Sequence, residues 1–322
     1  MAFPNVSDII ATTIQSRTRK LADNVTKNNA LLAKLNTKGK IKTASGGNQI
    51  YQELTFAENS NAGWYSGYDF LPVGASDVIS AAEFDWKQAA VPVVISGLEQ
   101  LQNAGREQMI DLMEGRMSVA EATLSNLVTE GLYSDGTGSG GKEVTGLDAA
   151  VPTDPTTGTY GGINRATSTN AFWRSKIVDA GVVTSSTIQG KLNELWANLV
   201  RGSDSPDLII MDNAYWLLYV ASLQAQQRFN GTETGDLGFP TLKFMHTDVV
   251  LDGGIGGFMN SSTAFMLNCD YLHFRPHKQR NMVPLSPNRR YATNQDAEVQ
   301  IIAWAGNLTS SGAQFQGRLE DT

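Results

Sequence analysis

The stretch from Ser96 to Tyr133 constrains this chain more than any other. Ser96–Gly97–Leu98–Glu99 has the S-x-x-E spacing of a capping box, in which serine and glutamate each satisfy a backbone N–H at a helix start. No proline follows before Tyr133. Leu98, Leu101, Met109, Met113, Met117, Ala120, Leu124, Leu127 and Leu132 recur at mostly three- and four-residue steps. The spacing predicts one helix over 96–133, about 50 Å long at 1.5 Å per residue. Gly105 and Gly115 soften it, and the glycines after Leu132 end it. With acidic residues opposite the apolar stripe, it reads as a structural spine that carries no site.

Other segments arrange themselves around that spine. Residues 1–42 read as an arm. Ile9, Ile10, Ile14, Leu21, Val25, Leu31, Leu32 and Leu35 form a loose helical stripe that needs a partner surface. Gln49–Phe56 alternates, Gly63–Phe70 follows, and Asp77–Ala82 is a third extended piece. Two runs joined by the polar tip Glu58–Ala62 predict a long hairpin with Trp64, Tyr65, Tyr68 and Phe70 on one arm. A two-stranded hairpin is marginal alone in water, so these aromatics pack either on their own domain or on another subunit. Phe84–Ile95 reads as a strand, with Pro92 marking an edge or bulge. Residues 135–170 are loop-rich. Ile188, Leu192, Leu195 and Leu199 define an amphipathic helix, Asp207–Asp212 a buried strand, Tyr215–Phe229 a helix and Thr241–Leu251 a strand. That alternation suggests a second compact α/β domain. Thr263–Phe274, Ala297–Ala305 and Ala313–Leu319 return to strands.

The chain is 322 residues long, 41% hydrophobic and 18% charged, which suits a packed core. The single Cys269 excludes an internal disulfide framework. No stretch has signal-peptide character or the ~20 apolar residues that span a bilayer, so the expectation is a soluble protein without membrane contact. Charge is unevenly placed. Residues 1–42 carry Arg17, Arg19, Lys20, Lys27, Lys34, Lys38, Lys40 and Lys42 against Asp8 and Asp23, while the remainder holds 17 basic and 30 acidic groups. A basic arm on an acidic body contacts either a polyanion or the acidic face of a neighbouring copy.

Catalytic patterns are weak. Ser134–Glu143 (SDGTGSGGKE) comes within one residue of a phosphate-binding loop, and Asp207–Asp212 resembles the strand that ends in a magnesium-binding aspartate. A phosphate loop leaves a strand and enters a helix; here the glycines end a helix, and Glu143 replaces the required hydroxyl. Asp212 is read as a helix cap. His273 and His277 have metal spacing only on a helix, which Pro276 argues against, and Cys269 reads as a buried small side chain. The reading is therefore non-enzymatic, with no catalytic residue, no cofactor and no metal.

Two stretches carry a resemblance. Gly136–Leu147 (GTGSGGKEVTGL), with Gly158–Arg165 and Trp173, resembles the central segment of a group of tailed-bacteriophage major capsid proteins. Pro276–Leu285, followed by Asn294–Ala297, Ile302–Leu308 and Gln316–Gly317, resembles their carboxy-terminal segment. Element order extends the likeness over nearly the whole chain. The resemblance implies an α+β fold of the Hong Kong 97 type: an N-terminal arm (1–45), an extended β-hairpin loop (46–82), a peripheral domain (83–139) with spine helix 96–133, a central axial α/β domain (140–260), and return strands (261–322). It implies a head-shell subunit that assembles as hexamers and pentamers into an icosahedral virion head around double-stranded DNA, built in the host bacterial cytoplasm. Identical subunits would be the main partners. A portal, a decoration protein, non-specific contact with packaged DNA and a separate scaffolding protein complete the set, since only about 45 residues precede the hairpin. On this reading the aromatics of the hairpin lie over a neighbour. Residues 46–82 contain no lysine, so the isopeptide cross-links of some relatives are not expected. Arg275, Lys278, Arg280, Arg289 and Arg290 form a second acid-free basic stretch within 271–295 that faces a neighbour or DNA. A nanocompartment shell of the same fold, a tail-tube or adhesin subunit and a nucleotide-dependent enzyme are the alternatives.

Overall fold

A computed structural model describes residues 29–102, 106–225, 241–252, 257–285, 290–291 and 296–321. Its main elements in chain order are α1 (Ala30–Thr37), β1 (Ile50–Thr55), β2 (Ile79–Phe84), β3 (Lys87–Ser96), α2 (Gly97–Gln102), α3 (Arg106–Tyr133), β4 (Lys176–Asp179), α4 (Ile188–Leu199), β5 (Leu208–Met211), α5 (Asn213–Ala225), β6 (Thr241–Phe244), β7 (Thr247–Leu251), β8 (Thr263–Leu267), β9 (Leu272–Pro276), β10 (Val283–Pro284), β11 (Arg290–Tyr291), β12 (Ala297–Ser310) and β13 (Gly317–Glu320). Helices flank two large sheets, with the β1–β2 ribbon and a small two-stranded pair over 159–164 beside them, an α+β arrangement.

The longest strand, β12, organises one sheet. β3 runs antiparallel along one side of it, from Ala297 opposite Ser96 to Gly306 opposite Lys87. On the other side β11, β10 and β9 pair with it in succession. Pro92 lies opposite Ile301 on β3, whose outer edge pairs with no strand among the described residues, as its missing N–H requires. The second sheet has the order β4-β13-β8-β5-β7-β6 and is mixed, with β4 parallel to β13 and β5 parallel to β7. Alternation along β5 splits its side chains between two cores. Ile209 and Met211 face α4 and α5, joined by the helix stripe Ile188, Leu192, Leu195 and Leu199. Leu208 and Ile210 face the main core, together with α1, α3, β1, β2 and β12.

Several expectations need correction. The helix predicted over 96–133 is two helices. The capping box is present, with Ser96 N–H donating to Glu99 Oε2 at 3.2 Å and Glu99 N–H to Ser96 Oγ at 3.3 Å. But the Arg116 guanidinium donates to both oxygens of Glu99, at 3.0 and 2.6 Å, and to the Val94 carbonyl at 2.8 Å. Seventeen residues of straight helix would hold these groups about 25 Å apart, beyond the reach of the side chains. α2 and α3 are therefore not collinear, and the spine proper is the 28 residues of α3. The guanidinium holds the Glu99 carboxyl down at about 2.

The hairpin was expected to close around Glu58–Ala62. Instead β1 pairs with β2, from Ile50 opposite Phe84 to Thr55 opposite Ile79, and Gly63–Phe70 is not a strand. Thr263–Phe274 is broken by a turn between β8 and β9, and Thr241–Leu251 is a tight β6–β7 hairpin. The reading of residues 1–42 as an arm fails for the part that is described. Leu31, Leu32 and Leu35 of α1 are at most 1% exposed. After α1, residues 40–44 run parallel to β9, with Lys42 N–H donating to Phe274 O at 3.1 Å and Ala44 N–H to Pro276 O at 2.9 Å. The stripe needed a partner surface, and the gap between the two sheets of its own chain supplies one.

Candidate assembly surface

The foot of the hairpin is built into the core. Ile50, Gln52 and Leu54 of β1 and Ala82 and Phe84 of β2 are buried, while Tyr51, Glu53 and Glu83 between them are exposed. A small turn, Thr159–Tyr160 pairing with Ile163–Asn164, locks this foot from below. Gly161 sits there at φ +57, its carbonyl accepting from the Glu83 N–H at 2.9 Å; a Cβ at this position would meet the Phe84 ring at 2.9 Å. Tyr160 packs edge-on against Phe84 with centroids 5.2 Å apart, and Trp173 Nε1 donates to the Tyr160 carbonyl at 2.8 Å. Arg165 is buried beneath the Tyr160 ring and donates to the carbonyls of Ala149, Ala150 and Trp173. Burial lowers its pKa. The motif GTYGGINR with Trp173 is thus a pedestal for the hairpin.

Phe56 still packs on Phe172, with centroids 5.7 Å apart; beyond Phe56 and Val78 the hairpin leaves the body. Its chain is folded by its own turns: Asn61 Nδ2 donates to Gly74 O at 2.7 Å, Asn61 N–H to Asn59 Oδ1 at 2.9 Å, and Ser66 N–H to Asp69 Oδ2 at 2.9 Å. Among the described residues, the four aromatics singled out from the sequence are left exposed. Trp64 is 106%, Tyr68 105% and Phe70 101% exposed, and Tyr65 is also exposed. Leu71, Val73 and Ile79 extend the same surface and were not singled out. The apolar run Phe70–Leu71–Pro72–Val73 in an element with no second layer was the available signal. Each such ring would remove about 150–250 Å² from water if covered, far more than scattered surface apolars explain.

The basic residues divide. Arg17, Arg19, Lys20 and Lys27 lie outside the described residues. Lys34 Nζ is 2.8 Å from Asp248, Lys38 Nζ is 2.9 Å from Asp207 and 2.8 Å from Asp270, and Lys40 is 3.5 Å from Asp270. These three lysines neutralise carboxylates of their own chain and tie α1 to both sheets, which narrows the expectation of contact with a neighbour or polyanion. Lys42 is exposed. Lys38 and its neighbours depress the Asp270 pKa. Burial alone would raise Asp248, but Lys34 and Lys243 outweigh it and the net shift is downward.

Positions with nominal catalytic patterns are structural. The glycine-rich loop follows α3 and forms a four-residue turn, Gly138–Gly141, with Ser139 at φ +51. The Glu143 carboxylate folds back to accept from the hydroxyls of Ser134 at 2.8 Å and Ser139 at 3.3 Å, which sets a negative charge against the loop. Asp212 caps α5, accepting from the N–H groups of Ala214 and Tyr215 at 3.1 and 3.0 Å. His273 lies on β9 and His277 just past it, and Cys269 is buried, which pushes its thiol pKa up. Among the described residues no cluster of histidine, cysteine and carboxylate groups could hold a metal ion, and no helix is long and apolar enough to cross a membrane.

The carboxy-terminal residues of the sequence resemblance also have structural roles. Buried Asn307 accepts from Thr145 N–H at 2.9 Å and donates to Asp85 O at 2.9 Å, stapling the end of the glycine-rich segment to β12. Buried Gln316 exchanges two hydrogen bonds with the backbone of Asn268, each 3.0 Å. Arg318, which follows Gly317, lies between Asp148 at 2.7 Å and Glu320 at 2.5 Å.

A helical spine, a β12-centred sheet, a second mixed sheet flanked by helices, and a hairpin projecting from the junction together define the shell-forming fold of tailed-phage capsid subunits. Comparison with solved structures shows the same. The capsid asymmetric unit of cyanophage A-1(L) superimposes with a TM-score of 0.60 at 14% identity, covering 88% of this chain and 90% of the other. The capsid of a native GTA particle gives 0.59 at 12% identity, covering 89% of each chain. The capsid of Myoviridae phage XM1 gives 0.52 at 12% identity, covering 89% of this chain and 92% of that one. No protein-family model matches the sequence, and no curated protein does.

Proposed function

We propose that this chain is a major capsid protein, a non-catalytic subunit that assembles as hexamers and pentamers into the icosahedral head shell enclosing double-stranded DNA. The observation that carries the reading is the hairpin: turns fix its shape and its aromatic surface is bare. A surface of that size is tolerated when another copy covers it. The fold and its near-complete coverage of known capsid chains support the same conclusion. On this reading, β3, α2, α3 and the far half of β12 form the peripheral domain, and the six-stranded sheet with α4 and α5 forms the axial domain. A separate scaffolding protein, a portal and a decoration protein are the expected partners in the host cytoplasm. The absence of lysine from 46–82 supports a shell without isopeptide cross-links.

Negative-stain imaging of the purified chain with nucleic-acid analysis of the particles tests this. Closed shells that protect double-stranded DNA in the infected cell are expected. Shells filled with a cargo enzyme and free of nucleic acid would indicate a nanocompartment. A compact monomer at all concentrations would defeat the proposal.

A further inference from the structure

The hairpin is acidic as well as aromatic. Between Lys42 and Lys87 the chain has no lysine or arginine, and the hairpin carries Glu53, Glu58, Asp69, Asp77 and Glu83, all exposed. One end of the β12 sheet has the opposite sign. There Lys278 N–H donates to Ala44 O at 2.9 Å, and Ala305 N–H donates to Arg280 O at 2.7 Å. The Arg280 guanidinium reaches Gln88 Oε1 at 2.9 Å, and Lys87, opposite Gly306, donates to the Gly141 carbonyl beside Lys142. Lys42, Lys87, Lys142, Lys278 and Arg280 are thus drawn to one rim, where the Trp86 and His277 rings meet edge to face at 5.2 Å. Among the described residues none of these five cations forms an ion pair, in contrast to Lys34, Lys38 and Lys40. Two carboxylates close in sequence to Lys87 and Lys142 bond to other partners: Asp85 accepts from Gln49, and Glu143 from Ser134 and Ser139.

We propose that this basic rim receives the acidic hairpin of a second copy, so that a charge match between two different surfaces of the same chain orients assembly. The inference rests on the shell-subunit reading above. The hairpin and the rim are distinct patches, so the contact is head-to-tail, the kind that propagates into rings. The aromatics supply the buried area, and the charges supply encounter rate and direction. A second copy is favoured over nucleic acid because the complementary anion is part of the chain, exposed and pre-shaped by its own hydrogen bonds.

The test compares four chains by light scattering at low and high salt: the parent, Lys42→Glu with Lys278→Glu, Glu58→Lys with Asp77→Lys, and all four changes together. The substituted side chains are exposed, and melting of the unassembled subunits checks that each variant folds. Each two-site reversal is expected to slow assembly about tenfold at low salt, the fourfold exchange to restore it to within about twofold, and high salt to shrink the differences. Parent particles whose assembly ignores both reversals, or folded variants that the exchange fails to rescue, would overturn the inference alone. So would a rim-reversed chain that assembles at the parent rate but loses bound nucleic acid. A parent chain that forms no particles would remove the shell reading as well.

Discussion

Two sets of aromatic residues behave oppositely in this chain. Trp173 is buried under the hairpin foot with its indole N–H bonded, whereas Trp64 stands free of the body. Trp173→Ala is expected to destabilise the unassembled subunit by about 3–5 kcal/mol. Trp64→Ala with Tyr65→Ala is expected to leave its denaturant midpoint within about 0.5 kcal/mol of the parent while weakening particles. Equal loss in both assays would put Trp64 in the core. Gly161→Ala joins a strained φ to a collision with Phe84 and is expected to cost about 1–3 kcal/mol. If that variant melts with the parent, the pedestal does not hold the hairpin. Asn307, Gln316 and Arg165 could be picked out in the sequence only by resemblance. A buried amide or guanidinium serving distant backbone groups leaves no local periodicity to read.

At the level of elements, α1 separates what a local pattern can reveal from what packing decides. Its leucine stripe was visible, as was its need for a partner; that the partner is the chain's own pair of sheets depends on contacts more than 200 residues away, such as Lys34 with Asp248. The same limit applies to α2 and α3. Local spacing favoured a single helix, and the Glu99–Arg116 pair that bends the path back is a tertiary contact. Short-range signals fared better: the capping box, the α4 stripe, the Asp212 cap and the Pro92 edge position are all present. Removing residues 1–42 takes away three buried leucines, each worth about 2–5 kcal/mol, and is expected to abolish folding. Removing 1–28 is expected to leave a folded subunit, checked by circular dichroism; unfolded protein from the shorter deletion would show that the anchoring begins earlier.

The ion pairs of α1 also set a pH response. Asp248 and Asp270 titrate below their usual range, so their stabilisation is present above the unfolded carboxylate value near 4 and is lost as pH falls through the folded values. His273 acts in the same direction. Burial, then Arg275, Lys40 and Lys42, lower it to about 4, so stability declines as pH drops from about 6.5 towards that value. Hydrogen exchange of the α1 amides, corrected for intrinsic rates, is expected to rise more than that of β12 between pH 7 and pH 4. Parallel behaviour of the two elements would mean that the apolar face alone holds α1.

For the whole molecule, the body is satisfied and the hairpin is not. Both sheets are covered where they are buried, and the Arg165 guanidinium and Trp173 indole of the pedestal are bonded, yet the hairpin loop carries its largest apolar side chains into solvent. In a shell subunit of this kind, folding and association are linked, and the hairpin surface is completed only by neighbouring copies. Boiled particles are expected to run as monomer on reducing and non-reducing gels, because 46–82 lacks lysine and Cys269 is buried; a ladder of multimers would reveal covalent joins. The most direct measurement is hydroxyl-radical footprinting of Trp64, Tyr65, Tyr68 and Phe70 in free subunits and in particles. Strong oxidation in free subunits and protection in particles is the expected result. Oxidation that is the same in both states would contradict the claim that neighbouring copies cover this surface.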